Sequence, residues 1–230
     1  SQSNVQTIEK RYSLIQTQAQ FDEWLARLYA AAEFAFDTET TGINPLRAEL
    51  VGISFATEPG LAAYLPLGHR NALGAPPEQL LLADVLAALK PLLEDSSKGK
   101  IGHHGKYDAH ILRRYGVNLA GYKHDSMLAS YVFNATATLH NMDSVAKTYL
   151  NYSTIKYEDV AGKGAKQISF ADVALADALN YAAEDADITL RLKQTLLAAL
   201  EKLPAQLKIY TEMEIPLVPI LAEMEAAGIL

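Results

Sequence analysis

The sequence contains no cysteine, so neither a disulfide framework nor a thiolate metal site is open to it. It has no apolar run of membrane-spanning length and no opening that reads as a signal peptide; the expectation is a soluble, cytoplasmic protein with no membrane partner. Basic residues are in deficit: 20 Lys and Arg face 27 Asp and Glu, a formal net charge of −7. A protein that tracks a nucleic-acid duplex usually carries a broad basic face that releases counterions, so the deficit counts against groove binding. It leaves open a small acidic site where metal ions supply the positive charge. Internal repeats and low-complexity tracts are missing as well.

What is present has the balance of a folded globule, with 50% hydrophobic and 20% charged residues. The 230 residues suffice for one well-buried core with terminal extensions. Ser1–Asn4 reads as a disordered or expression-derived start, and Tyr12, Leu14 and Ile15 as a short leading strand. Phe21, Trp24, Leu25 and Leu28 fall at helical spacing, which predicts an amphipathic helix from Gln20 to about Ala32. Three short apolar runs follow, Phe34 to Asp37, Leu50 to Phe55 and Leu61 to Leu65, and read as neighbouring antiparallel strands. Pro77 is expected to open a helix reaching Leu93, followed by a strand at Lys100-Ile101-Gly102 and a helix from Tyr107 to Tyr115. Beyond that the chain reads as mainly helical, with N-caps at Asp125, Asn141 and Ser169 and a polar loop from Tyr152 to Gln167. Pro216 to Ala227 reads as a fresh helix and Gly228-Ile229-Leu230 as the start of another strand, as in a truncated chain. Early strands and later helices predict an α/β or α+β arrangement, a sheet covered by helices.

Three groups of acids stand out. In Asp37-Thr38-Glu39, at a strand end, the period of two points both carboxylates the same way. Two anions so held suit a hard divalent cation such as Mg²⁺ or Mn²⁺. Tyr181 and Asp185 are four residues apart on a helix and share a face, where a phenol can orient a water beside a metal-bound carboxylate. Asp108 follows Gly102-His103-His104-Gly105-Lys106-Tyr107 at a helix start. Each has an ordinary reading alone: a solvated strand end, an amphipathic helix with its acids in water, and a charge set against a helix dipole.

Taken together and in order, Phe36-Asp37-Thr38-Glu39-Thr40, Lys106-Tyr107-Asp108 and Tyr181-Ala182-Ala183-Glu184-Asp185-Ala186-Asp187 resemble the three exonuclease motifs of the tyrosine-bearing branch of the DEDD nuclease superfamily. Asn141-Met142-Asp143-Ser144 and Ala161-Gly162-Lys163-Gly164 extend the likeness to the 3′-5′ proofreading domains of the bacterial DNA polymerase I family. The resemblance implies an RNase H-like mixed β-sheet flanked by α-helices, over about residues 12–205. Residues 1–11 would be the irregular start and 206–230 the truncated beginning of a polymerase domain. It further implies two divalent ions, Mg²⁺ or Mn²⁺, one held by Asp37, Glu39 and Asp185 and the second by Asp37 and, through water, Asp108. Tyr181 would position the attacking water, and a 3′-terminal nucleotide of single-stranded or frayed DNA would leave as a nucleoside 5′-monophosphate. Ile43 matches an apolar wedge between the last bases, and Tyr157 an aromatic that stacks on one. Where the family often has Gln-Asn, this chain has His103-His104, so His104 would stand in as the strand-binding donor.

Other readings stay open. An RNA-directed exonuclease of the same superfamily would use the same ligands, and a catalytically weak scaffold supporting a polymerase would keep the fold. His103, His104 and His124-Asp125 loosely resemble the His-Asp metal phosphohydrolases, an all-helical class. Gly162-Lys163-Gly164-Ala165-Lys166 lacks the spacing and the Ser/Thr of a phosphate-binding P-loop.

Overall fold

Residues 7–71 and 73–228 are described by a computed structural model of the chain. The expected irregular start Ser1–Asn4 and residues Ile229 and Leu230 of the expected last strand lie outside them. The elements run β1 (Arg11–Leu14), α1 (Gln18–Ala30), β2 (Glu33–Thr40), β3 (Leu50–Glu58), β4 (Leu61–Pro66), α2 (Leu82–Leu93), β5 (Gly99–Gly102), α3 (Gly105–Arg114) and β6 (Tyr122–Asp125). Helices follow: α4 (Ser126–Phe133), α5 (Met142–Leu150), α6 (Tyr157–Ala161), α7 (Leu175–Leu200), α8 (Pro204–Ile209) and α9 (Ile215–Ala226). The strands form one mixed sheet in the order β1-β4-β3-β2-β5-β6. As predicted, β2, β3 and β4 are antiparallel neighbours, whereas β1 joins β4, and β5 joins both β2 and β6, in parallel.

The two faces of β2 explain the layers. Phe34 and Phe36 enter a core with Trp24 and Leu28 of α1, Leu89 of α2 and Ile111 of α3. Fully burying a side chain of this size contributes roughly 1.5–3 kcal/mol. Ala35, between them, faces the other way and packs with Ala56, Ala62 and the α7 residues Ala183 and Ala186. Alanine on both sides lets the helix lie close against the sheet. By the same alternation Asp37 and Glu39 fall on the α7 side, and Thr38 on the side of α3.

Local signals account for the ends that the sequence predicts well. Thr17 caps α1 with a capping box completed by Gln20. Asp125 accepts from Met127 and Leu128 N–H at the start of α4, and Asn141 from Ser144 N–H at α5. Gly60 closes the β3–β4 hairpin at φ +83°, and a Cβ there would lie 2.2 Å from the Glu9 carbonyl oxygen, so only glycine fits.

Four expectations need correction. The helix expected from Pro77 starts at Leu82, because Gln79 is held outside it. Its amide pairs with both the N–H and the C=O of His69 (3.0 and 2.9 Å), and Glu78 C=O accepts from Gln16 (2.9 Å). Ser169 caps only a 3₁₀ turn, Phe170–Asp172. Asp172 is drawn instead to Arg70, with N···O distances of 2.5 and 3.0 Å. The polar loop Tyr152 to Gln167 contains α6, whose Val160 and Ala161 pack with Phe170. Finally, β6 interrupts the stretch expected to be mainly helical; its Tyr-Lys-His-Asp sequence has no apolar alternation, and pairing with β5 alone makes it a strand. Residues after 205 pack onto the same body: Tyr210 and Ile215 join a cluster with Ile188 and Leu192 of α7.

Candidate active site

Sheet and helix bring three acids together. Asp37 and Glu39, at the end of β2, and Asp185, on α7, offer carboxylate oxygens that all lie within 4.8 Å of one another. Asp37 and Asp185 are half-buried, whereas Glu39 is only 7% exposed. Its Oε1 is buried and has no hydrogen-bond partner among the described residues. A buried acceptor left unpaired costs about 1–3 kcal/mol, more for a charged group. The arrangement is therefore poor as a self-contained structure and good as an acceptor of cations.

The electrostatics agree. Burial pushes the Asp37 carboxyl up to about 7, partly offset by the Thr38 N–H. Burial also holds Glu39 well above the usual carboxylate range, reinforced by Asp37, Asp185 and Asp108. Asp185 is raised by burial and then by Asp37, Glu184 and Asp143. Like charges held close in a desolvated pocket resist ionising together, and a divalent cation relieves both causes.

Asp108 belongs to a different local network. It is 2% exposed, and its Oδ1 accepts from Thr38 N–H (3.2 Å) and Thr38 hydroxyl (2.5 Å). The middle residue of Asp37-Thr38-Glu39 thus ties the third motif residue to the strand carrying the first two. Among the described residues the metal-competent group is Asp37, Glu39 and Asp185, with Asp108 beside it rather than within it. Burial raises Asp108 too, followed by the charge of Asp37. Tyr181 lies one turn before Asp185, and burial, then Asp185, Glu39 and Asp37, push its phenol far up, so it keeps its proton.

Next to the acids runs an open groove of about 810 Å³, lined among others by Glu39, Ile43, His104, Tyr107 and Tyr157. Ile43 is 97% exposed, an expensive place for an isoleucine unless something apolar covers it. Tyr157, at the start of α6, is stacked on Phe170 (centroids 6.2 Å apart) and meets Tyr181 edge-on (5.9 Å). His104 also reaches the groove, from a left-handed backbone (φ 63°) that is rare for a residue with a side chain. Asp125 holds it there, accepting from the N–H groups of His104 (3.2 Å) and Gly105 (2.9 Å). Glycine at 105 leaves room for Tyr122, whose hydroxyl oxygen would lie 2.1 Å from a Cβ there.

All eight residues singled out from sequence therefore sit at or beside one site. Sequence reasoning missed Thr38 and Tyr107, whose hydroxyl donates to Gly42 C=O at 2.5 Å and so fixes the loop that presents Ile43. It also assigned no role to Glu184 and Asp187 of α7. Glu184 is 2% and Asp187 0% exposed. A usable signal existed: Ala182, Ala183, Ala186, Ile188 and Leu190 leave that stretch of helix no polar face for an acid to occupy. The rival histidine reading finds no site. His103 is engaged with Ser126 Oγ (2.7 Å) and His140 C=O (3.0 Å), His124 lies against Tyr210, and the oxygens of Asp125 are occupied by backbone N–H groups and the Tyr122 hydroxyl.

The family model described as 3′-5′ exonuclease matches residues 12–201. The chain belongs to that family. It is 51% identical to DNA polymerase I of Pseudomonas aeruginosa over 224 residues, covering 96% of this chain and 24% of the polymerase. The chain thus spans about a quarter of the length of such relatives. Its α/β fold is that of the RNase H-like exonucleases. Brucella melitensis NrnC, solved with bound Mg²⁺, superposes with a TM-score of 0.66 at 23% identity, covering 96% of this chain and 95% of that one. Escherichia coli RNase D, an exoribonuclease, gives 0.63 at 20%, covering 92% and 50%. Among the described residues of the exonuclease domain no helix is long and apolar enough to cross a membrane.

Proposed function

We propose that this exonuclease domain proofreads: it removes 3′-terminal nucleotides from a single-stranded or frayed DNA end, on behalf of a polymerase domain in the same full-length protein, in the bacterial cytoplasm. The observation that carries the chemistry is the meeting of Asp37, Glu39 and Asp185 within 4.8 Å around an unpaired Glu39 oxygen. These residues fit a divalent cation, Mg²⁺ or Mn²⁺, and Asp37 with Asp108 would hold a second one. Bound there, such ions would supply a water-derived nucleophile near neutral pH and charge stabilisation at phosphorus. DNA as the substrate rests on the 51% identity to a DNA polymerase I.

The protein's own groups divide the remaining work. Tyr181 keeps its proton and presents a hydroxyl one turn from Asp185, where it orients the attacking water. Ile43 wedges between the last bases, Tyr157 stacks on one of them, and His104 donates to the strand. Both base contacts are indifferent to sequence, as a proofreader requires, because every base has a π face. The product is a nucleoside 5′-monophosphate.

The test is digestion of matched single-stranded DNA and RNA oligonucleotides with Mg²⁺ or Mn²⁺, with and without chelator. Metal-dependent release of deoxynucleoside 5′-monophosphates supports the proposal. Preference for RNA would replace it with the exoribonuclease reading, and inactivity on both with the scaffold reading. Tyr181→Phe is expected to lower kcat by about 10–100-fold, the usual effect of removing a group that orients a metal-site ligand. Isothermal titration of metal into the same variant should give unchanged affinity; weakened metal binding would contradict the water-orienting role.

Metal should also stabilise the fold in a pH-dependent way. The folded carboxyl of Asp37 titrates near 7 against an ordinary 3.8, so the folded state holds a proton that the unfolded chain releases between those values. Stability contributed by that proton is complete below pH 4 and is lost as the pH rises through 7. In chelator, thermal unfolding followed by circular dichroism should therefore show this contribution lost at pH 8 relative to pH 5.5. Free metal at about 100 times its dissociation constant should return about 2.7 kcal/mol at pH 8, or about 5–10 °C.

A further inference from the structure

Glu184 directly precedes the proposed metal ligand Asp185, yet its oxygens are engaged elsewhere. Oε1 accepts from Ile155 N–H at 2.7 Å. Oε2 accepts from the Tyr152 hydroxyl at 2.5 Å and from Lys10 Nζ at 2.8 Å. The segment 151–156 that it grips has no regular secondary structure and leads directly into Tyr157. Its other hydrogen bonds reach only near neighbours in sequence: Asn151 and Tyr152 N–H to Ala146 C=O, Lys147 Nζ to Asn151 (3.4 Å), Thr154 hydroxyl to Asp143 (2.5 Å), Lys156 N–H to Asp159 (2.9 Å) and Asp159 N–H to Lys156 C=O (3.0 Å). A charged acceptor held in an almost dry pocket makes strong, directional hydrogen bonds, and losing it leaves an N–H, a phenol and an ammonium without their partner.

We infer that Glu184 is a positioning residue for the DNA strand: through segment 151–156 it fixes Tyr157 relative to α7, the helix that carries Tyr181 and Asp185. One rigid helix then sets both the hydrolytic centre and the grip on the substrate. Sites supported this way hold geometry within about 0.5 Å, which a free loop does not. The inference rests on the proposed strand-stacking role of Tyr157.

The test is a double-substitution cycle in the whole 230-residue chain, using Tyr157→Ala, Glu184→Gln and both together, with steady-state hydrolysis of single-stranded DNA in Mg²⁺. Glu184→Gln is expected to raise KM about tenfold, with kcat changed less than about twofold and the Mg²⁺ concentration for half-maximal activity unchanged. In the Tyr157→Ala background it should add no further rise, because both act on one contact. Independent, multiplying effects on KM would overturn the inference. So would a fall in kcat or a raised metal requirement at constant KM, which would place the action of Glu184 on Asp185. If Tyr157→Ala itself leaves KM unchanged, the stacking role fails and takes the inference with it. If Tyr157→Ala raises KM and Glu184→Gln does not, only the inference fails. Should Glu184→Gln fold poorly, Tyr152→Phe removes one of the three hydrogen bonds and replaces it in the same cycle, with a smaller KM rise expected to vanish in the Tyr157→Ala background.

Discussion

Asp185→Asn is expected to lower single-turnover hydrolysis of single-stranded DNA by about 10³-fold or more while making the metal-free protein more stable. The first effect follows from the geometry: three carboxylates converge within 4.8 Å, and the loss of one removes charge and a ligand at once. Metal-derived stabilisation of the transition state amounts to several kcal/mol, and each ~1.4 kcal/mol is a factor of ten in rate. The second effect has the opposite sign for a physical reason. In the absence of metal, Asp185 is held above its usual range by burial and by the charge of Asp37, and Asp185 in turn raises Glu39. An asparagine keeps the shape and deletes the repulsion. Thermal unfolding in chelator at pH 8 should therefore show a higher midpoint than the parent, and the difference should shrink toward pH 4, where the parent's carboxyls are protonated. A variant that lost both activity and stability would contradict the view of these acids as a cluster strained in favour of function.

Asp187→Asn should do the reverse, sparing the chemistry and weakening the fold. Asp187 is fully buried, and its Oδ1 accepts from Gly60 N–H (2.8 Å) and Arg191 Nε (2.9 Å). Its Oδ2 accepts from the Tyr12 hydroxyl (2.6 Å) and Arg191 Nη2 (2.6 Å). One carboxylate thus binds β1, the β3–β4 turn and the next turn of α7. An asparagine turns one acceptor into a donor facing donors, and it leaves the nearly buried guanidinium of Arg191 without its counter-charge. Breaking a buried pair from one side costs about 3–5 kcal/mol. For a domain of this size the melting midpoint should drop by about 6–20 °C. Tyr12→Phe, which removes a single hydrogen bond, should cost only about 1 kcal/mol. A drop of less than about 2 °C in Asp187→Asn would show that water or rearrangement replaces the lost contacts.

Asp185 and Asp187 stand two residues apart in one motif and are equally acidic; the family resemblance singled out Asp185 as a metal ligand, but spacing alone gives no physical reason to separate the two. The difference lies in what faces each of them. Asp185 meets the end of β2, where two more acids wait; Asp187 meets the sheet edge, where a phenol, an N–H and a guanidinium converge. The histidines divide in the same way. His103 is engaged by Ser126 and His140, while His104, held in a left-handed conformation by Asp125, opens onto the groove.

What the sequence by itself determined is whatever depends on near neighbours along the chain. The period of two placed Asp37 and Glu39 on one side of β2. The helical repeat set Tyr181 above Asp185 on α7. Asp125 and Asn141 cap the helices that follow them. Motif order along the chain then identified the family. Only the tertiary structure decided which faces meet. It brought Asp185 to β2, tied Asp108 to Thr38, buried Glu184 and Asp187, made a strand of Tyr122–Asp125 and delayed α2 to Leu82. Each of these depends on hydrogen bonds and packing between segments far apart in sequence, and spacing along one chain carries no measure of that proximity.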